Sequence, residues 1–523
     1  MKIFKKYLLC MLFVPFMAQA QSTLFPTPNS IQQGKDEFIV NQQLEIIAED
    51  AYAKQLANQL SIDLSVLPIS DKNGKSIVLL SINPQSDIAK DGYQLQITKD
   101  TARLQADSPS GLFYAKEAFL QLVRFHKGEL KTLQINDTPR FQWRGFMLDD
   151  SRHFFGKEKI KQYLDLMASL RLNVFHWHLT DEPGWRIEIK RYPKLTTIGS
   201  IGNWHDPNAE AKFYTQEDIR EIVAYATERQ IMVVPEIDMP GHATAACRAY
   251  PEVSGGGTGR WNGFTFHPCK EETFEFISNI LDEVIELFPA PFIHVGGDEV
   301  HYGNQNWFTD PTIQSFIKEK KLVDEKGLEH YFIRRVADIV ASKGKTMIGW
   351  DEIVDAGVSP NKAIVMWWRH DRKYQLLKAL EQGYKVIMTP RLPMYGDFVQ
   401  NYTHRIGRYD GFNTLIDTYT FPEPIWYLTQ GYDNQIIGIQ YSMWTEQIAD
   451  NKRLDYMTFP RLIAVAEAGW TFPRNKNYGQ FINKLPAFLS WLDQLQIYYY
   501  NPFQPTSRPE PSRPDKEDVL KNG

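Results

Sequence analysis

A closed (β/α)8 TIM barrel preceded by a small α+β domain is the fold class predicted for this 523-residue sequence, on three observations. Eight short apolar runs follow Arg144, and amphipathic helical stretches separate several of them, the alternation expected of a parallel sheet covered by helices. Several of these runs finish in a charged or aromatic residue, as strands do where they open onto the working face of a barrel. Ahead of them lies a segment of different rhythm, set off by the polar, Pro-containing stretch "NDTPRFQWR".

The elements follow in order. Residues 1–20 begin "MKIFKKYLLCMLFVPFMAQA", lysines before an apolar run and then a small-x-small motif, which predicts a signal peptide cut after Ala20 and export to a periplasm or beyond. The run from Tyr7 to Met17 falls short of the ~20 apolar residues that span a bilayer, so no integral membrane segment is expected after its removal. Residues 21–137 alternate strand-like runs ("FIVNQQLEIIA", "SIVLLSI", "YQLQIT", "ARLQAD") with helical stretches ("AYAKQLANQLS", "SGLFYAKEAFLQLVRF"), the pattern of the small α+β domain. Residues 138–490 carry the eight runs "GFMLDD", "LNVFHWHL", "IMVVPEID", "FIHVGGDE", "KTMIGWDE", "AIVMWW", "KVIMTP" and "IIGIQYSMW". A doubly wound open sheet is the alternative, but no Gly-rich phosphate turn follows the first strand. Residues 491–523 form a C-terminal tail that turns Pro-rich and charged from Asn501 and reads as extended or partly disordered.

Composition narrows the function classes. The net charge is -5, and no Lys/Arg block occurs beyond the first few residues, so nucleic acid is not an expected partner. With 43% hydrophobic residues the chain can bury a large core, and its oligomeric state is left open. Cys247 and Cys269 flank the Gly-rich "SGGGTGRWNG"; in an oxidising compartment a disulfide closing that loop would contribute about 3 kcal/mol, and two free buried thiols are the equal alternative.

The chemistry-bearing residues gather at strand ends. His176, His178, His242 and His294 raise the question of a zinc site, but no arrangement brings three histidines together with a carboxylate, so hydrogen-bonding roles and no metal or cofactor are expected. Trp177, Trp185, Trp350, Trp367, Trp368 and Trp444 also fall near these ends, and flat indole faces suit sugar rings. Carboxylates among tryptophans point to glycoside hydrolysis. Asp298 and Glu299 are neighbours, and successive strand residues point in divergent directions. They therefore do not suit the usual pair of carboxyls flanking the scissile bond.

Here the sequence resembles glycoside hydrolase family 20, the β-N-acetylhexosaminidases. "HVGGDE" is similar to that family's H-x-G-G-D-E signature, and the likeness continues through "WRGFMLDDSRHFF", "NVFHWHLTDEPGWR", "PEIDMPGHA", "IGWDEI", "MYGDF" and "MWTE", over roughly residues 23–475. The resemblance implies an exo-acting, retaining enzyme whose substrate's own acetamido group is the nucleophile, passing through an oxazolinium ion. It makes Glu299 the general acid and later base, Asp298 the group that orients the acetamido N–H, and Tyr395 the donor to the acetamido oxygen. Trp350, Trp368 and Trp444 become the pocket walls, Asp397 a contact to a sugar hydroxyl, and Arg144 with Glu446 the holders of the outer hydroxyls. Asp181, His242 and His294 form a polar group near Glu299. The implied partner is a carbohydrate ending in β-linked N-acetylglucosamine or N-acetylgalactosamine. Two other readings stand beside it, a non-hydrolytic glycan-binding protein on the same fold and an enzyme that releases a disaccharide.

Overall fold

The structure is a computed structural model that describes residues 23–512 apart from Tyr409; the signal-peptide reading of residues 1–20 lies outside them. The first domain is a six-stranded sheet of β1 (Ser30–Ile39), β2 (Glu45–Ala48), β3 (Ile77–Ile82), β4 (Tyr93–Ile97), β5 (Thr101–Ala106) and β6 (Glu129–Asp137), in the order β1-β6-β4-β5-β3-β2. Helices Ala51–Ser65 and Pro109–His126 pack on it. Each starts where a short polar side chain accepts an otherwise unpaired backbone N–H, Asp50 from Ala53 and Ser108 from Gly111. Strand β6 was not among the runs read from the sequence, although Leu130, Leu133 and Ile135 are buried and polar residues stand between them. It lies inside the sheet and supplies the partners of both β1 and β4.

The second domain is the expected closed barrel, with all eight strands parallel and in chain order. They are β7 (Trp143–Asp149), β8 (Val174–His178), β9 (Met232–Glu236), β10 (Phe292–His294), β11 (Thr346–Trp350), β12 (Ala363–Trp367), β13 (Lys385–Met388) and β14 (Ile436–Met443). Pairing of β14 with β7, from Gly438↔Trp143 to Met443↔Leu148, closes the ring. Residues of β7, β8 and β12 are buried along the whole strand because the barrel interior covers one face and helices the other. Met147, Val234, Ile348, Met366 and Ile387 belong to one apolar cluster drawn from alternate positions of these strands, the layered filling of a barrel. The ends of β7 to β14 are therefore fixed on a packed plug, and the loops that follow them inherit that rigidity.

One open alternative is decided and one sequence expectation changes. Cys247 and Cys269 are both free; Cys247 Sγ is 3.5 Å from the Thr265 carbonyl oxygen, and Cys269 Sγ faces His267 Nδ1 at 3.7 Å. The helix Tyr478–Gln494 crosses residue 490, and the Pro-rich segment after it runs in turns against the barrel through residue 512, with Pro511 buried. Among the described residues no helix is long and apolar enough to cross a membrane.

One buried carboxylate ties the two domains. Asp137, the last residue of β6, accepts from Tyr93 Oη (2.9 Å) and Asn29 N (2.9 Å) on its own side and from Trp470 Nε1 (3.0 Å) on the barrel side. Fully buried Arg171 lies 3.5 Å away. Burial pushes the Asp137 carboxyl up while Arg171 and the hydrogen bonds oppose it. Replacing Asp137 by Ala would strand a buried guanidinium and remove the acceptor of five donors, so Asp137→Ala is expected to lose about 3–5 kcal/mol. Urea denaturation of the purified protein checks this; an unchanged midpoint would show that the domains do not depend on this carboxylate.

Candidate active site

The site lies in the mouth of the barrel, and the residue types at the strand ends determine its electrostatics. Asp149 ends β7 and turns the chain by accepting from the backbone N–H of Ser151 (2.9 Å) and Arg152 (3.0 Å), which presents the Arg152 guanidinium to the mouth. Arg152 Nη1 sits 2.6 Å from Asp181 Oδ2. His178, the last residue of β8, is held between two carboxylates, with Nε2 2.7 Å from Asp181 and Nδ1 2.5 Å from Glu236. Burial alone would pull its pKa down, but Glu236 and Asp181 outweigh it and hold the imidazole as a cation. The cationic partners in turn keep Glu236 and Asp181 well below the usual carboxylate range, against the opposing effect of burial.

Around this base sit the acids expected to react. The DE pair does not lie on a strand: β10 stops at His294, and Asp298 and Glu299 follow a turn through Gly296 and Gly297. Gly296 takes φ +68°, and a Cβ there would lie 1.6 Å from Asp238 Oδ1, so only glycine fits between the loop and that carboxyl. Glu299 is itself left-handed (φ 49°). As a result the two neighbouring carboxylates do not diverge as strand residues would. Asp298 Oδ2 and Glu299 Oε2 each lie 3.7 Å from His242 Nε2, whose other nitrogen is 3.0 Å from Asp181 Oδ1.

Asp298 is buried and pushed up to about 7 by desolvation, with Glu299 and Glu236 adding to the rise and His242 opposing it. Asp238 is raised well above the carboxylate range, first by burial and then by Asp298. Crowding thus keeps a proton on the Asp238–Asp298 pair. His242, despite burial, is held cationic by Asp181, Asp298 and Asp238. Oδ1 of Asp238, Oδ1 of Asp298 and Nε2 of His242 are buried without a hydrogen-bond partner among the described residues, polar atoms that a ligand can satisfy.

Aromatic rings form the walls. Trp368 and Tyr395 lie nearly parallel (8°) with centroids 6.4 Å apart, and Trp444 stands 6.1 Å from Tyr395. Trp368 is fixed by donating to Glu352 (2.9 Å). The far end is polar: Arg408 donates to Asp397 (2.6 Å) and reaches Glu446 (3.3 Å). Asp397 is pushed up to about 6 by burial, which Arg408 opposes, and its Oδ1 has no hydrogen-bond partner among the described residues.

Of the twelve residues expected from the sequence, Asp181, His242, Asp298, Glu299, Trp368, Tyr395, Trp444 and Glu446 line this pocket together. Asp397 backs it through Arg408. Trp350 is buried behind Trp444 (5.8 Å) and donates to Glu236 (3.0 Å), so it supports the wall. His294 is fully buried 2.8 Å from Glu236 and braces that carboxylate below the pocket.

Arg144 is a correction. It is the second residue of β7, about 16 Å below the strand's mouth end at 3.3 Å per residue. Its guanidinium is buried on the carbonyls of Arg171 and Phe141 and on Tyr114 Oη. Arg152, eight residues on and past the strand's C-terminal end, is the arginine in the pocket. Strand polarity was the signal that distinguishes the two. Asp238 follows the end of β9 and is one of the acids among the charged residues at the strand ends, and Arg408, in a loop without a motif, carries no signal. His176, Glu236 and His294 bring zinc-ligand atom types within 4.8 Å of one another. Glu236 there already meets His178 and Trp350, which makes it a hub of hydrogen bonds.

Comparison with known proteins agrees with this geometry. The family model described as "Glycosyl hydrolase family 20, catalytic domain" matches residues 141–473, and "Glycosyl hydrolase family 20, domain 2" matches residues 21–138. A β-hexosaminidase of Porphyromonas gingivalis is 34% identical over 92% of this chain, which spans 64% of that relative's length. One from Vibrio furnissii is 34% identical over 87% of the chain and 78% of its own. Among solved structures, an exo-β-N-acetylglucosaminidase from Vibrio harveyi in complex with N-acetylglucosamine superposes with a TM-score of 0.84 at 31% identity, covering 92% of this chain and 79% of the other. The two models together cover the barrel with its acid-rich mouth and the domain before it, and the chain belongs to glycosyl hydrolase family 20.

Proposed function

We propose that the protein is an exported, exo-acting, retaining β-N-acetylhexosaminidase that removes terminal non-reducing β-linked N-acetylglucosamine or N-acetylgalactosamine from oligosaccharides or glycoconjugates. The observation that carries this reading is the convergence of Asp298 and Glu299 on one ring nitrogen, Nε2 of His242. Two carboxylates placed to attack and protonate from opposite sides of a sugar would not share one neighbour in this way, so the nucleophile is assigned to the substrate.

In the proposed reaction Glu299 gives its proton to the glycosidic oxygen as the C1–O bond breaks. The acetamido oxygen attacks C1, and an oxazolinium ion forms with inversion. Asp298, as carboxylate, accepts from the acetamido N–H and stabilises the positive charge, while the Tyr395 phenol donates to the acetamido oxygen. Burial holds that phenol well above its usual pKa, so it stays a donor. Glu299 then takes a proton from water, which attacks C1 from the vacated face, and the second inversion restores the starting configuration. Trp368 and Trp444 flank the ring and acetamido methyl, and Arg152, Asp397, Arg408 and Glu446 face the outer hydroxyls. That closed, charged end favours release of one sugar over release of a disaccharide. A glycan-binding protein would have no use for a buried acid pair kept partly protonated at a cost in folding. The lysine-led apolar N-terminus with its Ala-Gln-Ala motif supports export.

Glu299→Gln is expected to lose about 10²–10⁴-fold in kcat on glycosides with poor leaving groups, and less on activated aryl glycosides. Tyr395→Phe is expected to lose about 10²-fold or more on both. Steady-state kinetics on paired N-acetyl and 2-hydroxy aryl glycosides tests the whole scheme; equal turnover of the two would remove the acetamido group from the mechanism.

The pH dependence has a worked sign. Asp298 must be ionised to meet the acetamido N–H, so kcat/KM in the free enzyme should fall as pH drops below about 7. His242⁺ opposes the rise of that carboxyl, so His242→Gln should raise it further and move the acidic limb to higher pH. A limb that stays in place or moves down would remove Asp298 as its source.

A further inference from the structure

The Pro-rich C-terminal tail meets the loop that carries Arg408. We infer that Glu510, in that tail, is a positioning residue for the outer-hydroxyl end of the pocket and acts through Arg408; this rests on the proposed placement of the terminal sugar.

Within the connection between β13 and β14, the chain departs from Asp397 and comes back beside it at Arg408, where Phe398 bridges Arg408 and the Arg408 N–H donates to the Asp397 carbonyl (2.9 Å). Its return passes through Gly407 at φ +148°, where a Cβ would lie 2.8 Å from that same carbonyl oxygen, so the approach is close and tolerates little displacement. The outward half is held by Asn401, which donates to Tyr500 Oη (2.8 Å), and by His404 against Tyr456 Oη (3.0 Å). The half that leads to Arg408 is held by Glu510. The two successive N–H groups of Arg405 and Ile406 donate to its carboxylate at 2.7 and 3.0 Å.

Glu510 is in turn seated on Arg453, a guanidinium 1% exposed in the helix Asn451–Thr458, which donates to Glu510 (3.1 Å), to the Ile406 carbonyl (3.3 Å) and to the Pro511 carbonyl. Prolines on both sides of Glu510 restrict the segment toward extended conformations, and Tyr498 Oη donates to the Pro509 carbonyl (2.7 Å). The carboxylate thus joins a helix buried against the barrel to the backbone two residues before Arg408. Arg408 is the cation that bridges Asp397 and Glu446 at this end of the pocket. With Glu510 removed, two adjacent N–H groups lose their acceptor and Arg453 keeps only the Ile406 and Pro511 carbonyls, the loop end relaxes, and Arg408 no longer aligns the two carboxylates for the sugar hydroxyls. Asp298 and Glu299 lie on the connection after β10, and Tyr395, two residues before Asp397, is pinned to β14 by its bridge with Ser442, so the reacting groups keep their geometry.

The test uses the full chain and an aryl β-N-acetylglucosaminide. Glu510→Ala is expected to raise KM about fivefold or more with kcat within about twofold, to match Arg408→Ala in KM, and to add nothing in the Glu510→Ala/Arg408→Ala double variant, as for two residues acting as one unit. Glu510→Gln, which keeps one acceptor oxygen, should fall between wild type and Glu510→Ala, and serves if the alanine variant does not fold. An unchanged KM in folded Glu510→Ala, a fall confined to kcat, or KM increases that multiply in the double variant would overturn the role of the tail while Arg408→Ala still reports on the site. An unchanged KM in Arg408→Ala would instead overturn the outer-hydroxyl reading, and this inference with it.

Discussion

Burying several carboxylates within a few ångströms of one another is the constraint on which the rest of the mouth of this barrel depends. Asp181, Glu236, Asp238 and Asp298 are all withdrawn from water, and like charges so placed cannot all be ionised without partners. Two partial solutions coexist. Cations are interleaved, with His178 between Glu236 and Asp181, Arg152 on Asp181, and His242 facing Asp181, Asp298 and Glu299. Where burial and carboxylate crowding outweigh the His242 cation, at Asp238 and Asp298, a proton is retained instead. The same crowding that costs folding free energy makes this pair responsive to a substrate's charge, because an incoming N–H or a developing cation is the partner it lacks.

Backbone geometry meets this constraint at a few positions. Gly296 clears the space into which the Asp238 carboxyl fits, and the left-handed residues His242 and Glu299 aim their side chains at one another across two different loops. Such conformations are uncommon for residues with a Cβ and persist only where the surroundings over-determine them. The packed barrel plug below and the hub of Glu236 with His178, His294 and Trp350 provide that support. Rigidity therefore descends from the strand ends to the histidines, and from the histidines to the reacting acids.

The eight barrel runs, the helices between them and the aromatic and acidic character of the strand ends were legible in the sequence because they rest on local patterns. Burial on both faces makes a parallel strand a continuous apolar run, and its end is where that run stops. Strand β6 was overlooked for the converse reason: "ELKTLQIND" alternates, carries charge, and lies beside a turn-like boundary, so its membership of the sheet is decided by β1 and β4. Eight of twelve expected site residues line the pocket because their motifs lie at strand ends or on the loops just beyond them. Arg144 failed because it begins one, and a residue's distance from the mouth depends on which way its strand runs through the barrel.

What the sequence by itself determined is the set of chemical groups and their approximate latitude: barrel, mouth, indoles, phenol and the adjacent Asp298 and Glu299. What only the tertiary structure decided is how those groups face. Adjacent residues converge on His242 because the chain leaves β10 before it reaches them and turns through positive φ, a consequence of the space claimed by Asp238 from a different strand. Arg152, Arg408 and Glu510 enter the account for the same reason. Their partners lie 29, 11 and 105 residues or so away along the chain, as in the Arg408–Asp397 and Glu510–Arg405 contacts, and a local pattern carries no information about a contact that only folding creates.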